Sequence, residues 1–154
     1  MIDHDAAGLA IDAAQLVAER DTAAALSLLS SSDIDHHHLQ RAALTVMAFV
    51  LGGEGAAPRF AELRAQVHDL AVERGADDRQ VVLNLEVIAT SQALAEGDPD
   101  RADEIVSGSM FSPMNSAWCA ACLLGQCVRG WFGDSYTAAF WSGLRRHYGI
   151  GGAA

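Results

Sequence analysis

Hydrophobic residues recur every three or four positions along most of the chain, which is the spacing of an amphipathic α-helix. The segment 60–71 shows this most clearly, because Phe60, Leu63, Val67 and Leu70 fall on one helical face. No segment shows the sustained alternation of hydrophobic and polar residues that is typical of a half-buried strand. Alanine is abundant and proline is scarce, which also favours helix. The pattern therefore predicts an all-α fold.

Aspartates, glycines and prolines divide this pattern into about eight helices. Asp21, Asp35 and Asp98 stand where a side chain can accept the free backbone N–H groups of a first helical turn. The predicted helices span residues 6–19, 21–32, 35–52, 58–75, 79–96, 99–107, 116–132 and 134–149. We expect residues 1–149 to form a single domain and residues 150–154 to form a flexible tail.

The third predicted helix differs from the others because residues 42–51 are apolar on all sides. A helix without a polar face is normally surrounded by other helices. We therefore expect this helix to be central and buried.

Two segments that lie 77 residues apart, 21–30 and 98–107, repeat one pattern. Each begins with aspartate, has alanine four residues later, and has aliphatic residues at the seventh and eighth positions after the aspartate. The stretch 94–106 resembles the turn and second helix of a tetratricopeptide-type repeat, and 16–29 resembles it less closely. The resemblance implies stacked helical hairpins that bind a protein partner on a concave surface. A compact helical bundle is the alternative architecture.

The chain carries 20 acidic residues and 10 basic ones, all of them arginine, so its formal charge is −10. A negative surface repels phosphate, which disfavours direct binding to nucleic acid. The charge is uneven: residues 1–35 carry −6, 76–104 carry −6 and 105–154 carry +2. This layout predicts that the two ends contact different things, such as a basic protein partner or another copy of the chain, head to tail.

The acidity also suggests a second hypothesis, in which the protein imitates DNA and inhibits a nucleic-acid-binding protein. Such an inhibitor needs carboxylates on one face. Asp12, Glu19, Asp98 and Asp103 are the residues on which we test this requirement.

A third hypothesis is a thiol- or metal-dependent enzyme or sensor. Cys119 and Cys122 form a C-x-x-C motif near the predicted start of a helix, where the dipole can lower a thiol pKa, and Cys127 follows. The more ordinary interpretation is that all three are small core residues. No second C-x-x-C or nearby histidine completes a zinc site, so no metal or cofactor is predicted.

Three consecutive histidines, His36, His37 and His38, also offer metal-type donors. Consecutive side chains on a helix point about 100° apart, so at most two of them could share one ion. We therefore interpret the histidines as an exposed first helical turn that Asp33 or Asp35 caps.

Seven of the ten aromatic residues lie in the last 37 positions. Most of them are expected in the core, but an exposed aromatic edge beside arginines would be an interface anchor. The predicted partner-binding residues are Trp141, Arg145, Arg146 and Tyr148. No phosphate loop, nucleophile elbow or zinc-protease motif is present, so no catalytic residue is predicted.

The N-terminal segment lacks the basic start of a signal peptide, and the uncharged run 105–128 is too polar to span a bilayer. These features predict a cytoplasmic protein without membrane attachment. The leading hypothesis is therefore a non-catalytic protein-interaction module: an adaptor, a small regulator or an assembly subunit.

Overall fold

The computed structural model describes residues 2–133 and 137–151, and within these ranges it consists of eight helices and no strand. The predicted all-α fold of about eight helices is therefore confirmed. The helices are α1 (His4–Ala18), α2 (Thr22–Ser30), α3 (His36–Leu51), α4 (Ala56–Arg74), α5 (Arg79–Ala95), α6 (Pro99–Gly108), α7 (Pro113–Phe132) and α8 (Thr137–His147).

The predicted aspartate caps account for several helix starts. Asp21 Oδ1 accepts the N–H of Ala24 at 3.1 Å, and Asp98 Oδ1 accepts the N–H of Arg101 at 3.1 Å. Asp35 caps α3 in the same way, so these three predictions are confirmed. The predicted start of the last helix, residue 134, lies outside the described residues.

The connection between α6 and α7 is shorter than the sequence predicted, because α7 begins at Pro113 rather than near residue 116. The Ser109 hydroxyl donates to Glu86 Oε2 of α5 at 2.7 Å and accepts the N–H of Phe111 at 3.1 Å. The guanidinium of Arg79 lies 5.5 Å from the centre of the Phe111 ring. These contacts hold the connection against α5.

The chain divides into two compact units, one comprising Met1–Val46 and Pro113–Ala154 and the other Met47–Ser112. In the first unit α1 packs against α2, α7 and α8. In the second unit α5 packs against α4 and α6. Each unit thus contains a long helix that packs on the short helix following it in sequence, and the single domain over 1–149 stays a prediction.

The first unit depends on a close approach of α1 and α7, which small side chains make possible. A Cβ atom at Gly125 would lie 2.5 Å from the Ala14 carbonyl oxygen and 2.8 Å from Val17 Cβ. Ala121 and Ala117, one and two turns before Gly125, are also buried. Glycine at position 125 is therefore required by space rather than by backbone conformation.

The helix α3 is less enclosed than its sequence predicted. Leu39, Met47 and Leu51 are fully buried, but the side chain of Phe49 is 47% exposed. The prediction of a helix buried on all sides is therefore wrong at this position. An apolar composition does not by itself supply neighbouring helices for every face of a helix.

The two segments that repeat in sequence also share one backbone conformation. Asp21 has φ −105° and ψ 65°, and Asp98 has φ −115° and ψ 72°. The N–H of Asp21 donates to the Leu16 carbonyl at 2.8 Å, and the N–H of Asp98 donates to the Ala93 carbonyl at 2.9 Å. The predicted echo therefore corresponds to two helical hairpins, α1–α2 and α5–α6, with equivalent turns.

The two turns differ at one position, which gives a direct test of backbone strain. Arg20 has φ 67° and the equivalent Gly97 has φ 75°, a left-handed conformation that is unfavourable for residues other than glycine. We expect Arg20→Gly to stabilise the protein by about 0.5–1 kcal/mol and Gly97→Ala to destabilise it by about 1 kcal/mol. Urea denaturation of the two variants measures both changes, and shifts of the same sign would contradict the assigned equivalence.

Among the described residues, no helix is long and apolar enough to cross a membrane. The first residue of the predicted tail is held in place: the N–H of Ile150 donates to the Arg145 carbonyl at 2.8 Å. A Cβ atom at Gly8 of α1 would lie 3.3 Å from Ile150 Cγ2, so this side chain packs on α1. Residues 152–154 of the predicted tail lie outside the described residues.

Candidate partner-binding surface

The four residues predicted to bind a partner are on or directly after α8, but they are in different environments. Trp141 is completely buried, so it is not available as a surface anchor. Tyr148 is half-buried, and desolvation raises the pKa of its hydroxyl to about 12. Arg146 is exposed. Of the four residues, only Arg146 is fully displayed to solvent.

Arg145 is used within the chain. Its Nη2 and Nε atoms donate to Asp12 Oδ1 at 2.7 and 3.1 Å, and Nη2 also donates to the Gln15 side-chain oxygen. Because Asp12 and Gln15 belong to α1, this ion pair joins α8 to α1 in the first unit. Arg145 is therefore a structural cation, and an ion pair that is already formed contributes little charge to an interface.

The buried indole of Trp141 belongs to a short series of aromatic rings that reaches the surface. Its ring meets that of Phe140 edge-on at 5.1 Å between centroids, and Phe140 lies 5.6 Å from Phe132. Phe132 is 43% exposed and the adjacent Trp131 is 41% exposed. Phe132 and Phe140 are in ring contact across the end of α7 and the start of α8, and Trp131 precedes Phe132 in sequence; we call these three residues the aromatic patch.

The sequence pattern did not identify Trp131 and Phe132 as exposed, because both continue the apolar spacing of α7. Val128, three and four residues earlier, is fully buried against the rest of the first unit. Burial stops between Val128 and Trp131, within one helical turn. The available signal was the glycine on either side of the pair, Gly130 and Gly133, which marks the end of a helix where core packing normally weakens.

The sequence segment that contains the aromatic patch has a small excess of basic residues. Residues 113–151 include Arg129, Arg145, Arg146 and His147 and one acidic residue, Asp134, so their formal charge is +2. Arg129 is one helical turn before Phe132 and therefore shares its side of α7. An aromatic patch beside an arginine is the composition that recurs in the energetically important centre of protein interfaces.

The helix α6 in the second unit displays acidic side chains instead. Asp100, Asp103 and Glu104 are all exposed, and we call these three residues the acidic face. Met110, two residues after the helix, is 78% exposed. In the described part of the chain none of the three carboxylates takes part in an ion pair.

The four carboxylates chosen to test the DNA-imitation hypothesis differ in their partners within the chain. Asp12 is paired with Arg145, and one oxygen of Asp98 accepts a helical N–H group. Glu19 is exposed in the first unit and Asp103 is exposed in the second. Two of the four carboxylates therefore have structural partners, which does not favour imitation of a phosphate backbone.

Of the three cysteines, Cys119 is buried and Cys122 and Cys127 are half-buried. Because α7 begins at Pro113, Cys119 lies almost two turns inside the helix instead of near its start. Burial, together with the nearby Cys122, raises the pKa of the Cys119 thiol well above its usual range. Burial also raises the pKa of Cys122 to about 11. Both shifts oppose thiolate formation, which redox chemistry requires.

We expect this burial to be visible as slow alkylation. With a pKa of about 11, roughly one Cys122 thiol in a thousand is ionised at pH 8, compared with about one in ten for an ordinary thiol with a pKa near 9. Cys122 should therefore react with iodoacetamide at least about 100-fold more slowly in the native protein than in urea. Mass spectrometry of the labelled peptides measures this ratio, and equal rates would show that the thiol is accessible and ordinary.

The same shift has a consequence for stability at high pH. The native state retains the Cys122 proton up to pH about 11, whereas the unfolded state releases it near pH 9. The unfolded state therefore binds fewer protons between these values, and the free energy of unfolding falls as the pH rises through this window. Substituting Cys122 with alanine removes this component of the pH dependence.

The three histidines form the exposed first turn that the sequence predicted. Asp35 Oδ1 accepts the N–H groups of His37 at 2.9 Å and His38 at 3.3 Å, and these bonds lower the pKa of Asp35. His38 Nδ1 lies 3.7 Å from Asp3 Oδ2. Within the described ranges, no group of three or more histidine, cysteine, aspartate or glutamate side chains is arranged to hold a metal ion.

The candidate partner-binding surface is therefore the aromatic patch at the end of α7, which combines exposed rings with an adjacent arginine. The comparisons with protein-family models, with curated proteins and with solved structures gave no match for this chain.

Proposed function

We propose that this protein is a non-catalytic protein-interaction module of the cytoplasm, acting as an adaptor, a small regulator or an assembly subunit. The observation that supports the proposal is the exposure of Trp131 and Phe132, two large adjacent aromatic side chains. Such side chains are costly to leave in water and dominate the binding energy of many interfaces when a partner covers them. The resemblance of residues 94–106 to a tetratricopeptide-type repeat supports the same function, because it implies stacked hairpins that bind a partner without chemistry of their own.

The environments of the cysteine thiols and of the Ser109 hydroxyl, which are the groups that could act as nucleophiles, are consistent with a binding role. Burial keeps the thiols of Cys119 and Cys122 protonated. The Ser109 hydroxyl donates to Glu86 and so has no histidine base as its hydrogen-bond acceptor. The acidic face of the second unit adds a surface that would attract a basic partner.

Affinity capture with matched variants tests this function. We expect wild-type protein to retain a specific protein from the native host, and the double variant Trp131→Ala/Phe132→Ala to retain at least about tenfold less of it. Val72→Ala is the control, because Val72 on α4 is 87% exposed and lies outside the aromatic patch. Quantitative mass spectrometry compares the three samples.

The result that would contradict the proposal is equal capture by the wild-type protein and the double variant. Far-UV circular dichroism must show the same helical content for both proteins. Loss of capture by Val72→Ala as well would indicate non-specific adsorption rather than recognition through the patch.

A further inference from the structure

The acidic face of α6 is not required by the hairpin to which it belongs. The equivalent positions of α2, offset by 77 residues, are Ala23, Leu26 and Ser27, which are also exposed but uncharged. Since the two hairpins have equivalent turns, the fold accepts neutral residues at these positions. The hairpin therefore does not need the negative charges of α6 in order to fold, and we look for their role outside folding.

The helix dipole explains only part of this acidity. Asp100 is in the first turn of α6, where a negative charge is stabilised by the helix N-terminus. Asp103 and Glu104 lie beyond the first turn, where this effect has largely disappeared. Their charges are displayed next to the half-buried Ile105 and near the exposed Met110, so the surface combines carboxylates with apolar side chains.

The aromatic patch has the complementary composition. It presents the exposed Trp131 and Phe132, of which Phe132 is one helical turn from Arg129, in a segment (residues 105–154) whose formal charge is +2. The second unit has twelve acidic residues and five arginines, so a partner approaching it must overcome or exploit a strong negative potential. A positively charged aromatic surface gains from that potential, whereas a second acidic surface is repelled.

We propose that the aromatic patch of one copy of this chain docks on the acidic face and Met110 of a second copy. This inference rests on the proposed function and names the partner. The contact joins two different surfaces, so two copies that make it once still present one unused patch and one unused acidic face. These unused surfaces either bind further copies, so that the assembly grows with concentration, or bind each other and close a ring or a two-fold dimer.

Analytical ultracentrifugation with three variants tests this contact. The patch variant is Trp131→Ala/Phe132→Ala, and the acidic-face variant is Asp103→Arg/Glu104→Arg. The control is Asp69→Arg/Glu73→Arg on α4, which makes the same change of charge at two exposed helical acids of the same unit. We expect the average mass of the wild type and the control to rise with concentration, and each face variant to remain monomeric.

An equimolar mixture of the two face variants gives the sharpest result. The patch variant keeps an intact acidic face and the acidic-face variant keeps an intact patch, so together they can form one contact and no more. We expect a heterodimer and no larger species. Raising the salt concentration from about 20 mM to about 500 mM should weaken this association at least about tenfold, because the charges are exposed.

Three outcomes would overturn the self-association. One is a monomeric wild type at both salt concentrations, another is a mixture that remains monomeric, and the third is an acidic-face variant that associates as well as wild type. In the first case, a host protein captured by wild type and lost by the patch variant would leave the proposed function intact. The two proposals can therefore fail separately.

Discussion

Replacing Trp141 with alanine is expected to destabilise the protein by about 3–5 kcal/mol, because the indole is completely buried and its loss leaves a large cavity. Trp141→Phe should cost considerably less. It keeps an aromatic ring against Phe140 and removes the indole N–H, which has no hydrogen-bond partner among the described residues. Trp131→Ala, at a surface that is 41% exposed, is expected to cost about 1 kcal/mol.

Urea denaturation followed by far-UV circular dichroism measures these three values without relying on tryptophan fluorescence, which the variants themselves alter. The comparison separates the two tryptophans by role, since Trp141 should affect unfolding and Trp131 should affect binding. If Trp131→Ala cost as much as Trp141→Ala, the aromatic patch would have to be assigned to the core.

Substituting Gly125 with alanine is expected to destabilise the protein by about 2 kcal/mol, although alanine is normally the better helix former by about 1 kcal/mol. The added methyl group would lie 2.5 Å from the Ala14 carbonyl oxygen, and a backbone atom cannot move aside as a flexible side chain can. The helices α1 and α7 would have to separate, which weakens the packing of the first unit.

Gly130→Ala in the same helix is the matched control. A Cβ atom at Gly130 would meet no described residue within 4 Å, so only the helix-propensity gain of up to about 1 kcal/mol remains. The two substitutions should therefore shift the free energy of unfolding in opposite directions. A stabilising effect of Gly125→Ala would show that α1 and α7 are farther apart than the structure places them.

Features that depend on a few neighbouring residues were predictable from the sequence. The caps at Asp21, Asp35 and Asp98 need only a carboxylate before a helical segment, and all three occur as predicted. The exposed histidines follow from the same local geometry. The repeated pattern 77 residues apart correctly indicated two equivalent hairpins, because turn geometry is determined by the residues within the turn.

Features that depend on distant contacts were not predictable in this way. Arg145 pairs with Asp12, which is 133 residues away in sequence, and no local pattern distinguishes it from the exposed Arg146. Trp141 and Trp131 likewise both fit apolar helical positions, and only the surrounding helices make one buried and the other exposed. The candidate binding surface is therefore the junction of α7 and α8 rather than the later part of α8.

The way in which the helices pack determines neither whether the tetratricopeptide resemblance holds nor which partner the protein binds. The hairpins α1–α2 and α5–α6 agree with the local geometry that the tetratricopeptide resemblance implies, but stacked hairpins and a compact bundle both contain such pairs. Those two architectures stay predictions. A partner is recognised by the outward-facing residues, which folding leaves nearly unconstrained.

The equivalent hairpins give this chain an internal reference for separating surface chemistry from folding. Ala23, Leu26 and Ser27 of α2 can be exchanged with Asp100, Asp103 and Glu104 of α6 in a single chimera whose net charge and composition are unchanged. Because the exchanged positions are solvent-exposed in both helices, the chimera should fold as the parent does. The chimera would carry these three carboxylates on the first unit instead of the second. A partner that binds the acidic face should therefore bind the first unit of the chimera.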